Sequence, residues 1–286
     1  MITIEKDTNE VYHSKTEYIG SISLKKIKQS PLHFRDCEFK KTDALDFGSA
    51  AHAFVLEPDL FHSEYFIFDE GNRPEPEKTF ASKLNKAWKQ DIYEDHANVI
   101  SSEDYQKLIE MKKYLFSNFY AKYLLTKGVN ELSHYTDDFE GVKCKFRPDS
   151  LHIKKRIVVD YKTVADASLD GCMKYITNYD GHIQAAYYTD LFEHCYPSTK
   201  PAQFYWVFQE KTKPYGVNIL KASSQLLDCG RYEYDLLLQE YRHMKETGEF
   251  CGYEVFADND FGIIEVNLPA WKIKEFQFKN LKSKKQ

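Results

Sequence analysis

The stretch from Arg147 to Lys162 constrains this 286-residue chain more than any other. Two strand-like segments flank Lys154-Lys155, which is typical of an antiparallel hairpin with a tight turn. If the turn is centred on those lysines, residue 151 faces 158 and Asp149 faces Asp160. Opposed strand residues have Cβ atoms about 4.5–5.5 Å apart, and two like charges at that separation destabilise the pair unless something bridges them. The hairpin therefore predicts a divalent cation between the two aspartates.

Lys162 extends this set, because alternate residues of a strand share one face. Asp160 and Lys162 are then expected on one face, with Tyr161 pointing to the other. Two carboxylates that hold Mg²⁺, beside an ammonium that stabilises negative charge, suit phosphodiester hydrolysis. The alternative is an exposed hairpin that happens to carry charges. The preceding run Ile157-Val158-Val159 argues against it, since it is typical of a central strand where an uncompensated carboxylate is costly.

Apolar spacing and capping residues predict several helices elsewhere. We expect helices over 24–29 with Ser23 as cap, 44–56, 82–92, 183–195, and 224–247 closed by Gly248. A single long amphipathic helix is expected from Ser101 or Ser102 to Gly128. Residues 1–20 are expected to be extended.

Period-two patterns predict the strands. These are expected at 65–68, 131–135, 142–149, 156–163, 203–208, 216–220 and 263–268. The three strands between 131 and 163 are expected to form a meander, with turns at Asp137-Asp138 and Lys154-Lys155.

Composition excludes several classes. The chain is 42% hydrophobic, which is enough for a sizeable core, and no apolar run approaches the ~18 residues of a membrane helix. The N-terminus lacks the apolar region of a secretory signal, so a soluble cytoplasmic protein without membrane contact is expected. Six scattered cysteines show no zinc or iron–sulfur spacing, and no phosphate-binding GxxxxGK[ST] motif occurs.

The net charge of −5 is unusual for a nucleic-acid-binding protein, but the charge is segregated. Residues 270–286 carry six lysines against one glutamate, a local +5, so that the rest of the chain carries −10. The basic tail is either a solvated terminus or an arm that follows phosphates.

The hairpin residues also resemble a known signature. Pro148-Asp149, followed after ten residues by Asp160-Tyr161-Lys162, resembles the PD-(D/E)XK nuclease motif. Flanking stretches resemble RecB-type and exonuclease VIII-like (RecE-type) nucleases. They comprise the small-residue helix Gly48–His52 with Leu56-Glu57-Pro58, the glutamine/tyrosine helix from Gly181 to Tyr188, an opening at Ile22–Pro31 and a close at Leu268–Trp271. The resemblance covers residues from about 20 to 271.

The resemblance implies a role for each matching residue. His52, Asp149, Asp160 and the carbonyl of Tyr161 would bind the metal, and Lys162 would be the catalytic lysine. Gln184 and Tyr188 would contact the substrate backbone or brace the lysine strand, although helix surface and core are equally good explanations for them. Glu131 matches an acidic position of the family, with a structural role or a role in supporting the ligands.

The resemblance implies a restriction-endonuclease-like α/β fold, with a mixed central sheet flanked by helices. A single nuclease domain is expected over 1–286, with a mainly helical part at 20–128, a catalytic core at 129–222, and a C-terminal helix, strand and basic tail at 223–286.

The implied activity is an ATP-independent, 5′ to 3′ exodeoxyribonuclease that uses Mg²⁺ or Mn²⁺. It would resect linear double-stranded DNA from its ends, as a ring-shaped homo-oligomer, and leave single strands for a recombination partner that anneals them. Such systems are often encoded by prophages. Two alternatives stay open: a structure-specific or single-strand endonuclease of the same fold, and a non-catalytic DNA-binding protein.

Overall fold

A computed structural model describes residues 1–37, 43–256 and 262–275. The helices are α1 (Asn9–Ser14), α2 (Ser21–Gln29), α3 (Pro31–Asp36), α4 (Asp43–Leu56), α5 (Pro58–Glu64), α6 (Lys83–Asp95), α7 (Ser102–Ser117), α8 (Phe119–Thr126), α9 (Leu169–Asn178), α10 (Gly181–Cys195) and α11 (Ser224–Thr247). The strands are β1 (Ile2–Glu5), β2 (Tyr65–Phe68), β3 (Asn98–Ser101), β4 (Val129–Asn130), β5 (Ser133–Phe139), β6 (Val142–Phe146), β7 (Ser150–His152), β8 (Ile157–Val164), β9 (Gln203–Glu210) and β10 (Val217–Lys221).

A mixed five-stranded sheet in the order β10-β9-β8-β7-β4 forms the centre of the described chain. The strands β8 and β9 are parallel, and the other neighbours in this sheet are antiparallel. A parallel pair needs a crossover, and α9 and α10 provide it between β8 and β9. The expected α/β class with a mixed central sheet is confirmed.

Helices cover both faces of this sheet, and the alternation along β8 assigns each side chain to a face. Val158 packs in a cluster that includes α10 and α11, whereas Val159 and Tyr161 pack against α4 and α8. All three side chains are fully buried. Charged side chains on β8 therefore lie between two apolar layers, which is why their environment departs so far from water.

The expected meander of three strands is wrong. β5 and β6 pair with each other and with the N-terminal β1 in a separate sheet, while β7 and β8 belong to the central sheet. The turn between β5 and β6 lies at Glu140-Gly141, and Asp137-Asp138 lie inside β5. Alternation identifies strands but does not specify their partners, and the pairing of β1 with β5 joins residues far apart in sequence.

Three helical or extended segments also differ from expectation. The helix expected over 102–128 breaks at Asn118, whose carboxamide oxygen accepts hydrogen bonds from the N–H groups of Tyr120 and Ala121 and so begins α8. Residues 9–14 are helical rather than extended, with Thr8 as the N-cap. Residues 263–268 form no strand, and residues 270–275 are helical. Lysines 279, 282, 284 and 285 of the basic tail lie outside the described residues.

The helix expected over 24–29 begins earlier, at Ser21 after Gly20, so Ser23 lies inside α2 and is not its cap. Two other local signals are confirmed. The structure gives α11 the expected range Ser224–Thr247 with Gly248 in the left-handed conformation, and Ser82 caps α6. No helix in the described ranges is long and apolar enough to cross a membrane.

Gly230 permits the close packing of α11 on α10. A Cβ at this position would lie 2.2 Å from the carbonyl oxygen of His182 and 2.8 Å from the Cβ of Ala186. Both contacts involve the helix α10, whose backbone cannot move away independently of the core it packs against.

Gly230→Ala is therefore expected to destabilise the protein. Alanine gains about 1 kcal/mol of helix propensity, but overpacking a core costs about 1–3 kcal/mol, and so close an approach to backbone belongs at the upper end of that range, so we expect a net loss of about 2 kcal/mol in the free energy of unfolding. Urea denaturation measures it. Gly48→Ala in α4 is the matched control, because its Cβ would lie 3.6 Å from the nearest atom, Thr163 Oγ1, and stability should be unchanged or higher. Equal stability of the two variants would contradict the close crossing.

Candidate metal-binding active site

The hairpin of β7 and β8 has the expected register. Ser150 pairs with Val159, Leu151 with Val158, and His152 with Ile157. Continued by one residue, this register puts Asp149 opposite Asp160. The backbone N–H of Tyr161 donates a 2.5 Å hydrogen bond to Asp149 Oδ2 and so fixes that carboxylate over the end of the pairing. The two aspartates are 9% and 2% exposed, which makes this a buried pair of like charges.

Two side chains orient the Asp160 carboxylate. The Lys162 ammonium donates to Oδ1 at 2.7 Å, as expected for two residues on one face of a strand. Gln184 Nε2, from α10, donates to the same oxygen at 3.0 Å. The other oxygen, Oδ2, is buried and has no hydrogen-bond partner among the described residues. One oxygen of Asp160 is therefore held and the other is left to accept a ligand.

His52 approaches from the opposite face of the sheet. Gly48 of α4 faces β8, since a Cβ at this position would lie 3.6 Å from Thr163 Oγ1, and the helix packs close to the strand there. His52 Nδ1 lies 3.6 Å from Asp149 Oδ2, and its ring packs 5.0 Å from that of Tyr161. The Tyr161 hydroxyl donates to Gln209 Oε1 at 2.6 Å, so the tyrosine is anchored away from the aspartates as expected.

Glu131 joins His52 and Asp149. One ligand atom from each of these three residues lies within 4.8 Å of the other two, a spacing that suits a metal ion. Glu131 also receives a 3.0 Å ion pair from Arg147 Nε. Its backbone is in the left-handed region at φ 51°, which is uncommon for a residue other than glycine. Its N–H donates to the carbonyl of Asp149, and this contact holds the unusual conformation.

Burial dominates the electrostatics of the acidic groups. It raises the pKa of Asp149 and of Asp160, although the Lys162 ammonium opposes both shifts. Burial, and then the Asp149 carboxylate, raise the pKa of Glu131 to about 8. Desolvation and mutual repulsion disfavour the ionised forms of these three carboxyl groups. A bound positive charge would therefore stabilise them.

The basic groups respond in opposite ways. Burial lowers the pKa of Lys162, but the carboxylates of Asp160 and Asp149 outweigh it and raise that pKa above its usual range, so the lysine stays charged. Burial, followed by repulsion from Lys162, lowers the pKa of His52. The imidazole is therefore neutral at pH 7, which is the form that binds metals.

These donors fit a divalent cation. Carboxylate oxygens and a neutral imidazole nitrogen are ligands for Mg²⁺ or Mn²⁺, and the buried Oδ2 of Asp160 needs a partner that the described protein residues do not provide. His52, Glu131 and Asp149 are the described side chains that the structure brings within metal-ligand spacing of one another, and Asp160 lies across the hairpin from Asp149, outside this group of three.

The remaining sequence-based candidates lie in different surroundings. Gln184 contacts Asp160 directly, whereas Tyr188 is buried, with its ring 5.7 Å from that of Phe146 in the core. The sequence did not single out Arg147, although it directly precedes Pro148-Asp149. A basic residue next to a buried acidic motif was the available signal for the ion pair that it makes with Glu131.

Glu131→Gln tests whether this glutamate is a metal ligand or a structural partner of Arg147. Because its pKa is raised above 4.5 in the folded protein, ionisation costs stability as pH rises from about 4.5 to about 8. The metal-free variant at pH 8 should therefore unfold with a free energy about 1–3 kcal/mol higher than wild type, and added Mn²⁺ should stabilise it less.

The control is Glu77→Gln, since Glu77 is exposed and distant in sequence from the cluster. This substitution should change neither the metal-free stability nor the response to Mn²⁺. A Glu131→Gln variant that is less stable than wild type at pH 8 and responds fully to Mn²⁺ would instead identify Glu131 as a structural ion-pair partner.

Comparisons with known proteins identify a similar fold and a matching family. The crystal structure of a candidate exonuclease from Eubacterium rectale has a TM-score of 0.61 and 15% sequence identity, and the match covers 94% of this chain and 98% of that one. A phage-related exonuclease from Haemophilus somnus 129PT is 14% identical, with a TM-score of 0.35 over 84% of this chain and all of the other. At these identities the first similarity shows the fold, and the second carries no argument. No curated protein matches the chain.

The model of a PDDEXK-like domain of unknown function, DUF3799, matches residues 21–254, which include the hairpin, the helix of His52 and the helix of Gln184. The resemblance to PD-(D/E)XK proteins is thereby confirmed, and the chain belongs to the PDDEXK-like family DUF3799.

Proposed function

We propose that this chain is a metal-dependent exodeoxyribonuclease that hydrolyses linear double-stranded DNA from its ends. The observation that carries the proposal is the buried Oδ2 of Asp160, which has no partner in the described residues while Oδ1 is held by Lys162 and Gln184. Family membership and a neighbour named as an exonuclease support it.

The position of each residue in the site indicates its role. His52, Glu131, Asp149 and Asp160, with the Tyr161 carbonyl, would hold Mg²⁺ or Mn²⁺. A divalent cation there would polarise the phosphodiester and lower the pKa of a bound water. The Tyr161 N–H keeps Asp149 in place, and Gln184 orients Asp160. Lys162 keeps its proton and offers a fixed positive charge to the negative charge that develops on the phosphate.

The resemblance to RecE-type nucleases extends the proposal. It supports 5′ to 3′ polarity, independence from ATP, assembly as a ring-shaped homo-oligomer, and delivery of single strands to an annealing protein. Gln184 would then hold Asp160 during catalysis, while Tyr188 would brace the strand of Lys162 from the core side.

Linear and circular substrates test the mode of cleavage. With Mg²⁺, linear duplex DNA labelled at its 5′ end should release the label as mononucleotides or short products from the start of the reaction. Covalently closed circles of duplex and of single-stranded DNA should stay intact, and EDTA should stop all cleavage.

Cleavage of either circle would instead identify an endonuclease of the same fold. Binding of DNA without turnover in Mg²⁺ or Mn²⁺ would identify a non-catalytic DNA-binding protein. Release of a 3′ label before a 5′ label would reverse the proposed polarity and leave the exonuclease assignment in place.

Substitutions at the hairpin test the site. Asp160→Asn and Lys162→Ala should each lower the cleavage rate by about 100-fold or more, because each removes a group fixed at the reacting phosphate. The exposed ion pair of Asp170 and Lys174 on α9 has the same chemistry at 2.6 Å, so Asp170→Asn and Lys174→Ala are matched controls. Near-UV circular dichroism confirms folding. A folded Lys162→Ala variant with wild-type activity would refute the catalytic assignment.

A further inference from the structure

Lys25 carries a positive charge that no protein carboxylate pairs with among the described residues. It lies on α2 and is half-buried, and within the part of the chain that the structure describes its ammonium has no hydrogen-bond or ion-pair partner. The neighbouring lysines on this helix are both paired. Lys26 donates to the Cys37 carbonyl at 2.7 Å, and Lys28 donates to Asp180 and Glu233 at 2.6 Å each.

The packing of α2 on α10 places Lys25 beside the candidate site. Ser21 lies against Tyr188, and Lys28 is bound to Asp180 at the N-terminus of α10, so the two helices run antiparallel in a fixed register. Lys25 is four residues after Ser21 and three before Lys28, on the same helix face. The matching position on α10, four residues from both Asp180 and Tyr188, is Gln184.

Gln184 donates to Asp160 Oδ1, the oxygen that Lys162 also binds. The charges that act on Lys25 include those of Lys162 and Asp160, so its ammonium lies near the carboxylate proposed to bind metal. Lys162 is matched by Asp160, and Arg147 is matched by Glu131. Lys25 is the cation of this group that has no anion of its own among the described residues.

A half-buried ammonium without a partner costs folding free energy. Burial, followed by repulsion from Lys162, lowers the pKa of Lys25 to about 8, which shows the same unmet need for an anion. A phosphate at this position would be attracted by Lys25 and Lys162 together. The carboxylates that act on Lys25 are those of Asp160 and Asp180, and each already accepts from other side chains: Asp160 Oδ1 from Lys162 and Gln184, and Asp180 from Lys28.

The following inference rests on the proposed function. We propose that Lys25 binds a phosphate of the DNA strand being cut, next to the phosphate that is hydrolysed. Its role is to position the substrate on the α2 side of the hairpin. The phosphate belongs either to the 5′ end or to the interior of the strand. Both present anionic oxygens to an ammonium, a terminal phosphate with up to two negative charges and an internal phosphodiester with one.

Lys25→Met tests the proposal, because methionine keeps the apolar stem and removes the charge. Binding to a short linear duplex is measured in Ca²⁺, under conditions in which the wild type leaves the DNA intact, over a range of salt concentrations. Affinity should fall about tenfold or more, and the slope of log K against log salt should decrease by about one, as expected for one lost phosphate contact. Lys25→Arg should retain both, and Lys26→Met is the control on the same helix.

Thermal unfolding distinguishes binding from a structural role. Loss of an unpaired, half-buried charge should leave the DNA-free Lys25→Met protein as stable as wild type or more stable, whereas a structural role predicts a loss. Duplexes with a 5′-phosphate and a 5′-hydroxyl separate the two sources. A penalty seen only with the 5′-phosphate assigns the terminal phosphate, and an equal penalty with both assigns an internal one.

Two results would overturn the inference in distinguishable ways. A wild-type protein that neither binds nor cuts DNA overturns the proposed function and this inference together. A wild-type protein that cuts DNA, with a Lys25→Met variant of unchanged affinity and salt slope, overturns the role of Lys25 alone.

Discussion

The opposition of Asp149 and Asp160 on paired strands is the constraint on which the rest of this structure depends. Two buried carboxylates at neighbouring positions repel each other and lose hydration, so the surrounding protein must compensate them. It does so incompletely. Lys162, Gln184 and the Tyr161 N–H satisfy one oxygen of each aspartate, and the buried Asp160 Oδ2 is left over. This arrangement destabilises the metal-free fold, and it suits a protein that gains stability by binding a cation.

The fold explains how such a site can be rigid. β8 lies inside the central sheet, with apolar layers on both faces, and its parallel pairing with β9 extends along its whole length. Helices contribute the remaining groups from opposite faces: α4 brings His52 to one side, while α10 and α2 bring Gln184 and Lys25 to the other. The groups of the candidate site thus come from four separate parts of the chain, which pack around the central sheet.

Local signals allowed much of this to be predicted from the sequence. The hairpin register followed from a turn centred on Lys154-Lys155, although the connection is longer than expected, with Ile153–Lys155 in a 3-10 turn and Arg156 left-handed. The helix α11 followed from an apolar stripe closed by Gly248. Non-local strand pairing could not be predicted, because the alternation in β5 does not reveal that it pairs with β1. The break at Asn118 was hidden since both flanking helices bury their apolar faces. Lys25 carries no motif at all, and only the register of α2 on α10 reveals its position.

Net charge illustrates the same limit. A total of −5 is unfavourable for DNA binding, yet the groups that decide the function are a few carboxylates suited to a metal ion and a few cations around them.

Anomalous scattering from crystals grown with Mn²⁺ most directly tests the central claim, that Asp149 and Asp160 bind a divalent metal ion. The account predicts one strong peak bound by the carboxylates of Asp149 and Asp160, and its loss in Asp160→Asn crystals. A fully occupied peak elsewhere, with none between these two aspartates, would contradict it.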